Sequence, residues 1–167
     1  MTVSIRLALP ADARDMAEIH MRSWEAAYAG IIPGEYIREK NRGRPALWER
    51  VLAGGNDSRY IIHAEGRAAG FVTCGPSRDD DARDGAWELY GIYLHPDFYR
   101  QGIGTQAVDF ALGKARERGV REITLWVFAE NADSIAFYRA CGFSSDGKSQ
   151  TGEFGKTLVM IRMRRAL

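Results

Sequence analysis

The spacing of apolar side chains divides the chain into alternating strand and helix patterns. Apolar–polar alternation, or a short run that is apolar on both faces, is typical of a strand. It predicts strands over Val3–Leu9, Tyr60–Ala64, Ala69–Cys74, Ala86–Leu94, Ile123–Phe128 and Lys156–Arg164. Apolar residues at helical spacing predict helices from Asp12 to about Trp24, and over Arg44–Leu52, Gly102–Arg118 and Asn131–Cys141.

Glycine, proline and polar residues mark the boundaries between these elements. Gly30 and Pro33-Gly34 interrupt the chain after the first helix, and the polar run Ser77–Gly85 predicts a surface loop. The predicted order is β-α-α-β-β-β-α-β-α-β, with no internal repeat, low-complexity segment or linker. This order predicts a single α/β domain over residues 1–167 with a mixed sheet.

Composition and charge exclude several classes of protein. The chain has 23 basic and 22 acidic residues and a formal net charge of +1, which argues against a protein that coats nucleic acid or an anionic membrane. No apolar run approaches the length of a bilayer-spanning helix, and the N-terminal segment lacks the pattern of a secretory signal, so we expect a cytoplasmic protein. Cys74 and Cys141 are far apart, which favours two reduced thiols, and His20, His63 and His95 are too scattered to predict a metal site.

The segment His95–Thr105, HPDFYRQGIGT, carries the clearest chemical signal. Pro96 ends the preceding strand, a polar loop follows, and Gly102 and Gly104 lead directly into the predicted helix. The unpaired N–H groups and the positive dipole end of a helix N-terminus suit a phosphate group, and glycines let the backbone approach the ligand closely. Arg100 adds a cation at the same end. The segment therefore predicts a site for a phosphate-bearing cofactor.

Two other phosphate-binding motifs fit this segment less well. Gly102, Gly104 and Ala107 satisfy the GxGxxA fingerprint, so a nicotinamide-dependent enzyme is an alternative. In that fingerprint the first glycine abuts the strand, whereas seven residues separate Gly102 from Leu94 here. The acidic residue expected at the end of the next strand is also misplaced, because Glu130 lies too late. A Walker loop is excluded because no Gly-Lys-Ser/Thr follows.

Three blocks of the chain resemble the GNAT superfamily of N-acetyltransferases. Residues 88–105 resemble its acetyl-CoA pyrophosphate block, and residues 5–20 look like its opening strand and helix. Residues 125–143 carry the family pattern Asn-x-x-Ala/Ser-x-x-Phe/Leu-Tyr-x-x-x-Gly-Phe as Asn131, Ser134, Phe137, Tyr138, Gly142 and Phe143. One departure is Tyr99, which stands where the family commonly has Gln or Arg. The resemblance implies an α/β fold with a mixed, mostly antiparallel central sheet, flanked by helices and splayed between the fourth and fifth strands.

The same resemblance implies acetyl-CoA as the co-substrate and no metal. It assigns the pantetheine arm to the strand segment Ile92, Tyr93 and Leu94, with the Leu94 N–H as donor to the thioester carbonyl. Asn131 is expected to contact the cofactor arm. The pyrophosphate is assigned to the backbone N–H groups of Arg100, Gln101, Gly102, Ile103, Gly104 and Thr105.

Two catalytic residues follow from the resemblance, each with an alternative. Tyr138 matches the general acid that protonates the departing thiolate, although it is alternatively a core aromatic residue. Glu88 stands where some members carry a catalytic glutamate, and strand alternation predicts that it shares a face with Tyr90, Ile92 and Leu94. It is expected to act as base through a water molecule; the alternative is a solvated or ion-paired carboxylate.

Residues 20–37 resemble an element that walls the acceptor site in family members of unassigned substrate. Trp24, Tyr28 and Tyr36 are expected to form an aromatic wall, with Glu25 or Glu35 attracting a cationic amine. The alternative is that these aromatic rings only pack the helix onto the sheet.

The function implied by the resemblance is that of an acetyl-CoA-dependent N-acetyltransferase, which moves an acetyl group to a primary amine by direct attack in a ternary complex. The alternative is a non-catalytic module that binds or senses CoA on the same fold. The expected partner is a small-molecule or peptide amine, with no nucleic acid or membrane, and a homodimer is one expected state because dimers are frequent in the superfamily.

Overall fold

The computed structural model describes residues 1–167 and contains seven strands and five α-helices. The strands are β1 (Val3–Leu7), β2 (Arg59–Ala64), β3 (Arg67–Pro76), β4 (Trp87–Leu94), β5 (Glu122–Phe128), β6 (Ser144–Glu153) and β7 (Thr157–Ala166). The helices are α1 (Ala13–Ala27), α2 (Gly34–Arg42), α3 (Arg44–Ala53), α4 (Ile103–Glu117) and α5 (Ala132–Ala140). All of the helices fall short of the length and apolar character that crossing a bilayer requires.

The seven strands form one sheet in the order β1-β2-β3-β4-β5-β7-β6. Every neighbouring pair is antiparallel except β4 and β5, which run parallel. These two strands pair only at Trp87 with Ile123 and at Glu88 with Thr124. Beyond these residues β4 and β5 separate and leave a gap in the sheet. The predicted fold class, including the splay between the fourth and fifth strands, is confirmed.

Helices cover both faces of the sheet. On one face α4 contributes Ile103, Val108 and Leu112 to the largest apolar cluster, against which α5 also packs. On the other face α1 and α3 pack on β2 and β3, with Met16 and Trp48 in a second cluster. A third cluster lies where the segment after α1 meets the ends of β5 and β7. The side of the sheet that carries α1 and α3 is called the α1 face below, and the opposite side the α4 face.

Two elements were not predicted from the apolar pattern. Helix α2 begins at Gly34, directly after the Pro33-Gly34 break, and buries only Ile37 and Asn41. Strand β6 consists mainly of Ser, Gly and charged residues, and most of its side chains are exposed. It lies at the edge of the sheet and pairs only with β7, so its backbone hydrogen bonds rather than apolar side chains define it. Neither element has the apolar periodicity that identified the others.

A bulge in β4 changes the predicted direction of one candidate residue. Thr73 of β3 pairs with Gly91, but the next residue, Cys74, pairs with Leu89, so Tyr90 is the extra residue. Trp87 and Leu89 therefore point to the α4 face, as do Ile92 and Leu94. Glu88, between the first two, points to the α1 face. The prediction that Glu88 shares a face with Ile92 and Leu94 is wrong, because alternation fails at the bulge.

Candidate active site

A short loop joins the end of β4 to the start of α4, and its own side chains hold it in place. Phe98 is buried, and the His95 ring accepts a hydrogen bond from the Asp97 N–H at 3.2 Å. The Gln101 side chain donates to the Asp97 carbonyl at 2.9 Å. Arg100 adopts a left-handed backbone conformation with φ of 62°, which is uncommon for a residue other than glycine. Such strain is found at ligand sites, where the surrounding structure enforces it.

Six consecutive backbone N–H groups, from Arg100 to Thr105, have no hydrogen-bond acceptor within the chain. The last three belong to the first turn of α4, where no intrahelical acceptor exists. The first three belong to the turn itself, in which Arg100 and Gly102 have left-handed backbone conformations. This geometry directs successive N–H groups into one concavity. The exposed Arg100 side chain makes no ion pair and adds a free positive charge. This arrangement suits a pyrophosphate.

Gly102 and Gly104 each occupy a position that disfavours a side chain, for different reasons. Gly102 has φ of 78°, which a residue with a Cβ rarely adopts. At Gly104 the limit is space, because a Cβ there would lie 3.1 Å from Cζ of Phe137 on α5. Gly104 therefore lets α4 and α5 approach closely beside the end of β4.

The open edge of β4 faces the gap in the sheet. The His95 N–H donates to the Ala69 carbonyl of β3 at 2.8 Å. Because backbone groups alternate in direction along a strand, the N–H and C=O groups of Leu94 and Ile92 point away from β3 and into the gap. The N–H and C=O groups of Tyr93 pair with Phe71 of β3, so only the side chain of Tyr93 is available to contact a ligand. The edge can therefore accept an extended ligand through Ile92 and Leu94.

Tyr138 lies on α5 on the far side of the gap. Its ring contacts Phe137 and Phe143, with centroids 5.1 and 5.9 Å away, and its hydroxyl has no hydrogen-bond partner in the chain. Burial raises the pKa of Tyr138 well above its ordinary value, and the nearby Tyr93 hydroxyl and Cys141 raise it further. The hydroxyl therefore keeps its proton throughout the physiological range.

Asn131 begins helix α5. Its side-chain oxygen accepts a hydrogen bond from the Ser134 N–H at 3.2 Å, which is the usual N-cap contact. The amide nitrogen of Asn131 makes no hydrogen bond within the chain, so its N–H groups are available to a ligand.

Glu88 is buried, with 2% of its side chain exposed, and is paired with Arg78. Oε1 accepts hydrogen bonds from the Arg78 backbone N–H at 3.0 Å and from its Nε at 3.4 Å, and Oε2 accepts one from Nη2 at 2.6 Å. The Arg78 guanidinium also stacks 4.1 Å above the ring of Tyr90. The pairing with Glu88 raises the pKa of Arg78. Glu88 is therefore an ion-paired carboxylate on the α1 face.

The predicted aromatic wall exists and is longer than the sequence indicated. Trp24 and Tyr28 lie edge to face with centroids 5.3 Å apart, and Tyr28 meets Phe128 at 5.2 Å. Phe128 then contacts Phe154 at 5.0 Å, and Phe154 contacts Tyr36 at 6.3 Å. These five residues form one aromatic row on the α1 face. Phe128 and Phe154 were missed because only the tertiary structure brings β5 and the β6–β7 turn to α1.

Tyr28 links the aromatic row to Tyr93 and Tyr138. Burial raises the pKa of Tyr28 well above its ordinary value, with further contributions from the hydroxyls of Tyr93, Tyr138 and Tyr99. The hydroxyl groups of Tyr28, Tyr93 and Tyr138 thus lie close enough to influence one another electrostatically.

Glu25 lies apart from this row. Its carboxylate accepts hydrogen bonds from Arg22 at 3.4 Å and from Asn41 Nδ2 at 3.3 Å, and it lines a surface pocket of about 230 Å³ with His95 and Asp97. Glu35 is exposed on the first turn of α2. The structure therefore brings the aromatic candidates together and leaves these two carboxylates outside the row.

The chain matches a known family over most of its length. The acetyltransferase (GNAT) family model matches residues 14–143, from α1 through α5. The uncharacterised N-acetyltransferase YuaI of Bacillus subtilis is 33% identical over 142 residues, which cover 83% of this chain and 78% of that protein. An uncharacterised N-acetyltransferase of Methanocaldococcus jannaschii is 30% identical over 144 residues, which cover 85% of this chain and 61% of that protein. The chain thus spans less than two thirds of the archaeal relative.

Solved structures share the fold. PaiA N-acetyltransferase from Thermoplasma acidophilum, whose crystal structure is a complex with coenzyme A, aligns over 100% of both chains with a TM-score of 0.79 and 22% sequence identity. At this identity the likeness concerns the fold alone.

Proposed function

Because this chain belongs to the acetyltransferase (GNAT) family, we propose that it transfers the acetyl group of acetyl-CoA to a primary amine by direct attack in a ternary complex. The observation behind this proposal is that three features lie next to one another. Six free N–H groups from Arg100 to Thr105 lie at one end of a gap that is bordered by the open edge of β4 and by Tyr138. Few ligands other than a long, phosphate-bearing thioester would use all three features together.

The binding half of the proposal rests on backbone groups. The N–H groups of Arg100 to Thr105 hold the pyrophosphate, with Arg100 as an additional cation. Ile92 and Leu94 hold the pantetheine arm as an added strand, and the amide nitrogen of Asn131 donates to it. The Leu94 N–H then donates to the thioester carbonyl and stabilises the negative charge that develops on its oxygen.

The chemical half uses the side chains at the mouth of the gap. The amine nitrogen forms a bond to the carbonyl carbon, the carbon–sulfur bond breaks, and the sulfur leaves with the electron pair. Tyr138 donates its proton to this sulfur. Its raised pKa makes a lasting phenolate costly, so the proton lost by the nitrogen returns to Tyr138 or to solvent in the same event. The overall reaction yields an amide, CoA thiol and one proton.

Glu88 is proposed as the end of a water relay that takes the first proton, which the ammonium form of the substrate must lose before its nitrogen can attack; the second proton is the one that leaves as the amide forms. It points to the α1 face, the same face as the aromatic row, which borders the acceptor side. Both of its oxygens already accept hydrogen bonds from Arg78, so direct contact with the amine is disfavoured and a water molecule is the better partner.

The test is a screen of primary amines with acetyl-CoA, read by release of free thiol. We expect Tyr138→Phe to lower kcat about 100-fold or more, because a positioned acid contributes at least that factor. The affinity for CoA, measured by calorimetry, should change little. Glu88→Gln should also lower kcat/KM, because it removes the carboxylate at which the water relay ends.

Tyr60→Phe is the matched control. Tyr60 is a buried tyrosine of β2 whose hydroxyl makes its only hydrogen bond to the Asp57 carbonyl at 3.4 Å. Its removal should leave turnover unchanged. Equal turnover in Tyr138→Phe would remove Tyr138 from the mechanism, and tight CoA binding without turnover of any amine would favour a non-catalytic CoA-binding module.

A further inference from the structure

Arg44 at the start of α3 is a buried cation without a counter-ion. Only 9% of the residue is exposed, yet no carboxylate lies within 4.0 Å of its guanidinium and none of its N–H groups has a hydrogen-bond acceptor. Its Nε in particular is fully buried and unpaired. Arg162, which is similarly buried, contacts three carboxylates. Buried charges are normally paired, so Arg44 is the exception in this molecule.

The surroundings of Arg44 place it on the acceptor side of the gap. Its guanidinium lies 4.5 Å from the centroid of the Trp24 ring, the first member of the aromatic row. The titratable groups that face it are the hydroxyls of Tyr93 and Tyr36 and the ring of His20. Tyr93 is also the residue whose hydroxyl neighbours that of Tyr138. Arg44 therefore belongs to the same cluster of side chains as the proposed acid.

A second buried donor adjoins the first. The indole N–H of Trp24 is buried and has no acceptor, as is the case for Arg44 Nε. The only other buried unpaired side-chain atom is Oδ1 of Asn41, whose amide nitrogen is held by Met21 and Glu25. A neutral amide oxygen would leave the charge of Arg44 uncompensated. Two unpaired donors on adjacent side chains, one of them cationic, call for an anionic oxygen that the chain does not supply.

We propose that Arg44 and the indole N–H of Trp24 bind a carboxylate of the acceptor, so that the substrate is a free amino acid or another small amine that carries a carboxylate. The inference rests on the proposed function, because it assumes that the cluster is the acceptor site of an acetyltransferase. It also predicts rejection of amines without an acid group, since these would leave Arg44 buried and unpaired in the complex.

The test compares amino acids with their decarboxylated counterparts: phenylalanine with phenethylamine, tyrosine with tyramine, tryptophan with tryptamine, and leucine with isoamylamine. In each pair that is turned over, the wild-type kcat/KM should favour the acid by about 30-fold or more, as expected for a buried charge-assisted contact. Arg44→Gln should abolish this preference by lowering kcat/KM for the acid, and it should not lower kcat/KM for the decarboxylated amine, which no longer leaves a buried cation unpaired. Arg44→Lys should restore part of the preference.

Arg42→Gln is the matched control. Arg42 is the exposed last residue of α2 and makes no ion pair, so its removal deletes the same charge nearby without affecting the preference. Stability provides a second control. Because Arg44 is unpaired, Arg44→Gln should keep or raise the melting temperature, whereas a large fall would show that Arg44 serves the fold and would overturn the proposal.

Binding separates this proposal from the proposed function. If no amine is acetylated, the acetyltransferase proposal is in question, and Arg44 is then tested by titrating N-acetylphenylalanine and N-acetylleucine into the CoA-bound protein. Binding that is lost in Arg44→Gln and kept in Arg42→Gln supports the carboxylate site. Absence of binding, binding that Arg44→Gln leaves intact, or equal turnover of acids and decarboxylated amines would overturn it.

Discussion

His20 is a titratable side chain that the fold holds neutral. It lies on α1 between Trp48 and Tyr93, and its Nδ1 accepts a hydrogen bond from the Trp48 indole N–H at 3.1 Å. Burial and, to a smaller extent, the nearby positive charge of Arg44 lower the pKa of His20 from 6.5 to about 3. The unpaired charge of Arg44 thus affects the pKa of His20, a quantity that can be measured without any substrate.

The pKa of His20 predicts a dependence of stability on pH. The unfolded chain protonates His20 near pH 6.5 and the folded chain only near pH 3, so between these values the unfolded state binds more protons. Stability is therefore lost as the pH falls below about 6.5. At pH 5 the loss attributable to His20 is about 2 kcal/mol.

His20→Gln, whose amide oxygen can still accept from Trp48, removes this titration. Urea unfolding at pH 7.5 and pH 5 should show a smaller decrease in the variant than in the wild type. The same decrease in both proteins would mean that His20 titrates normally in the folded state.

At the scale of elements, α4 contains two glycines with different surroundings. A Cβ at Gly104 would lie 3.1 Å from Phe137, whereas a Cβ at Gly113 would meet nothing within 4 Å. We expect Gly104→Ala to displace Phe137, to obstruct the N–H groups at the start of α4 and to weaken CoA binding about tenfold. Calorimetric titration with CoA measures this directly.

Gly113→Ala is the matched control in the same helix. It gains the helix propensity of alanine without a new contact, so the free energy of unfolding should rise by about 0.5–1 kcal/mol and CoA affinity should not change. Equal effects of the two substitutions on CoA affinity would show that the approach of α4 to α5 does not matter for binding.

Elements with a strong apolar period were predictable from the sequence, and those shaped by tertiary contacts were not. The apolar runs of β5 and α4 gave their positions to within a residue or two. The bulge at Tyr90 has no signature in the local pattern, because it arises from the pairing of β3 with β4, and it redirected Glu88. Strand β6 depends on β7 for its existence.

The same distinction applies to the candidate site. The glycine turn and Tyr138 belong to continuous motifs that sequence can reveal. Arg44 belongs to no such motif, and nothing in the local sequence distinguishes it from Arg42. Its importance comes from the burial of its guanidinium and from the absence of a hydrogen-bond partner for its Nε. The tertiary structure alone determines both.

At the scale of the molecule, the gap between β4 and β5 leaves the two parts of the sheet joined by two residue pairs. The loop between β3 and β4, predicted only as a polar surface loop, spans this seam on the α1 face. Its Arg78 binds Glu88 of β4, while Asp79 accepts hydrogen bonds from the Trp126 indole N–H at 2.8 Å and from Arg162 at 3.1 Å. The loop therefore ties β4 to β5 and β7 across the gap.

Arg162 is the centre of this connection. Its guanidinium also contacts Asp81 and Asp146, each at 2.6 Å, and its hydrogen bonds to these carboxylates raise its pKa. Arg162→Gln would leave the mostly buried carboxylates of Asp79 and Asp146 without their cation, while Asp81 would keep its contact with Lys148 at 3.8 Å. We expect a loss of about 3 kcal/mol in the free energy of unfolding, and a rise in KM for acetyl-CoA because the loop no longer holds β4 and β5 at a fixed separation.

Arg164, two residues further along β7, provides the comparison. It pairs only with Glu122, and 45% of its side chain is exposed. Surface pairs of this kind contribute little, so Arg164→Gln should cost less than about 1 kcal/mol and leave KM unchanged. Denaturant unfolding of both variants measures the difference. If the two substitutions cost the same, the seam is held by the helices and the two strand pairs alone, and the loop has no part in keeping the gap at the width that the pantetheine arm needs.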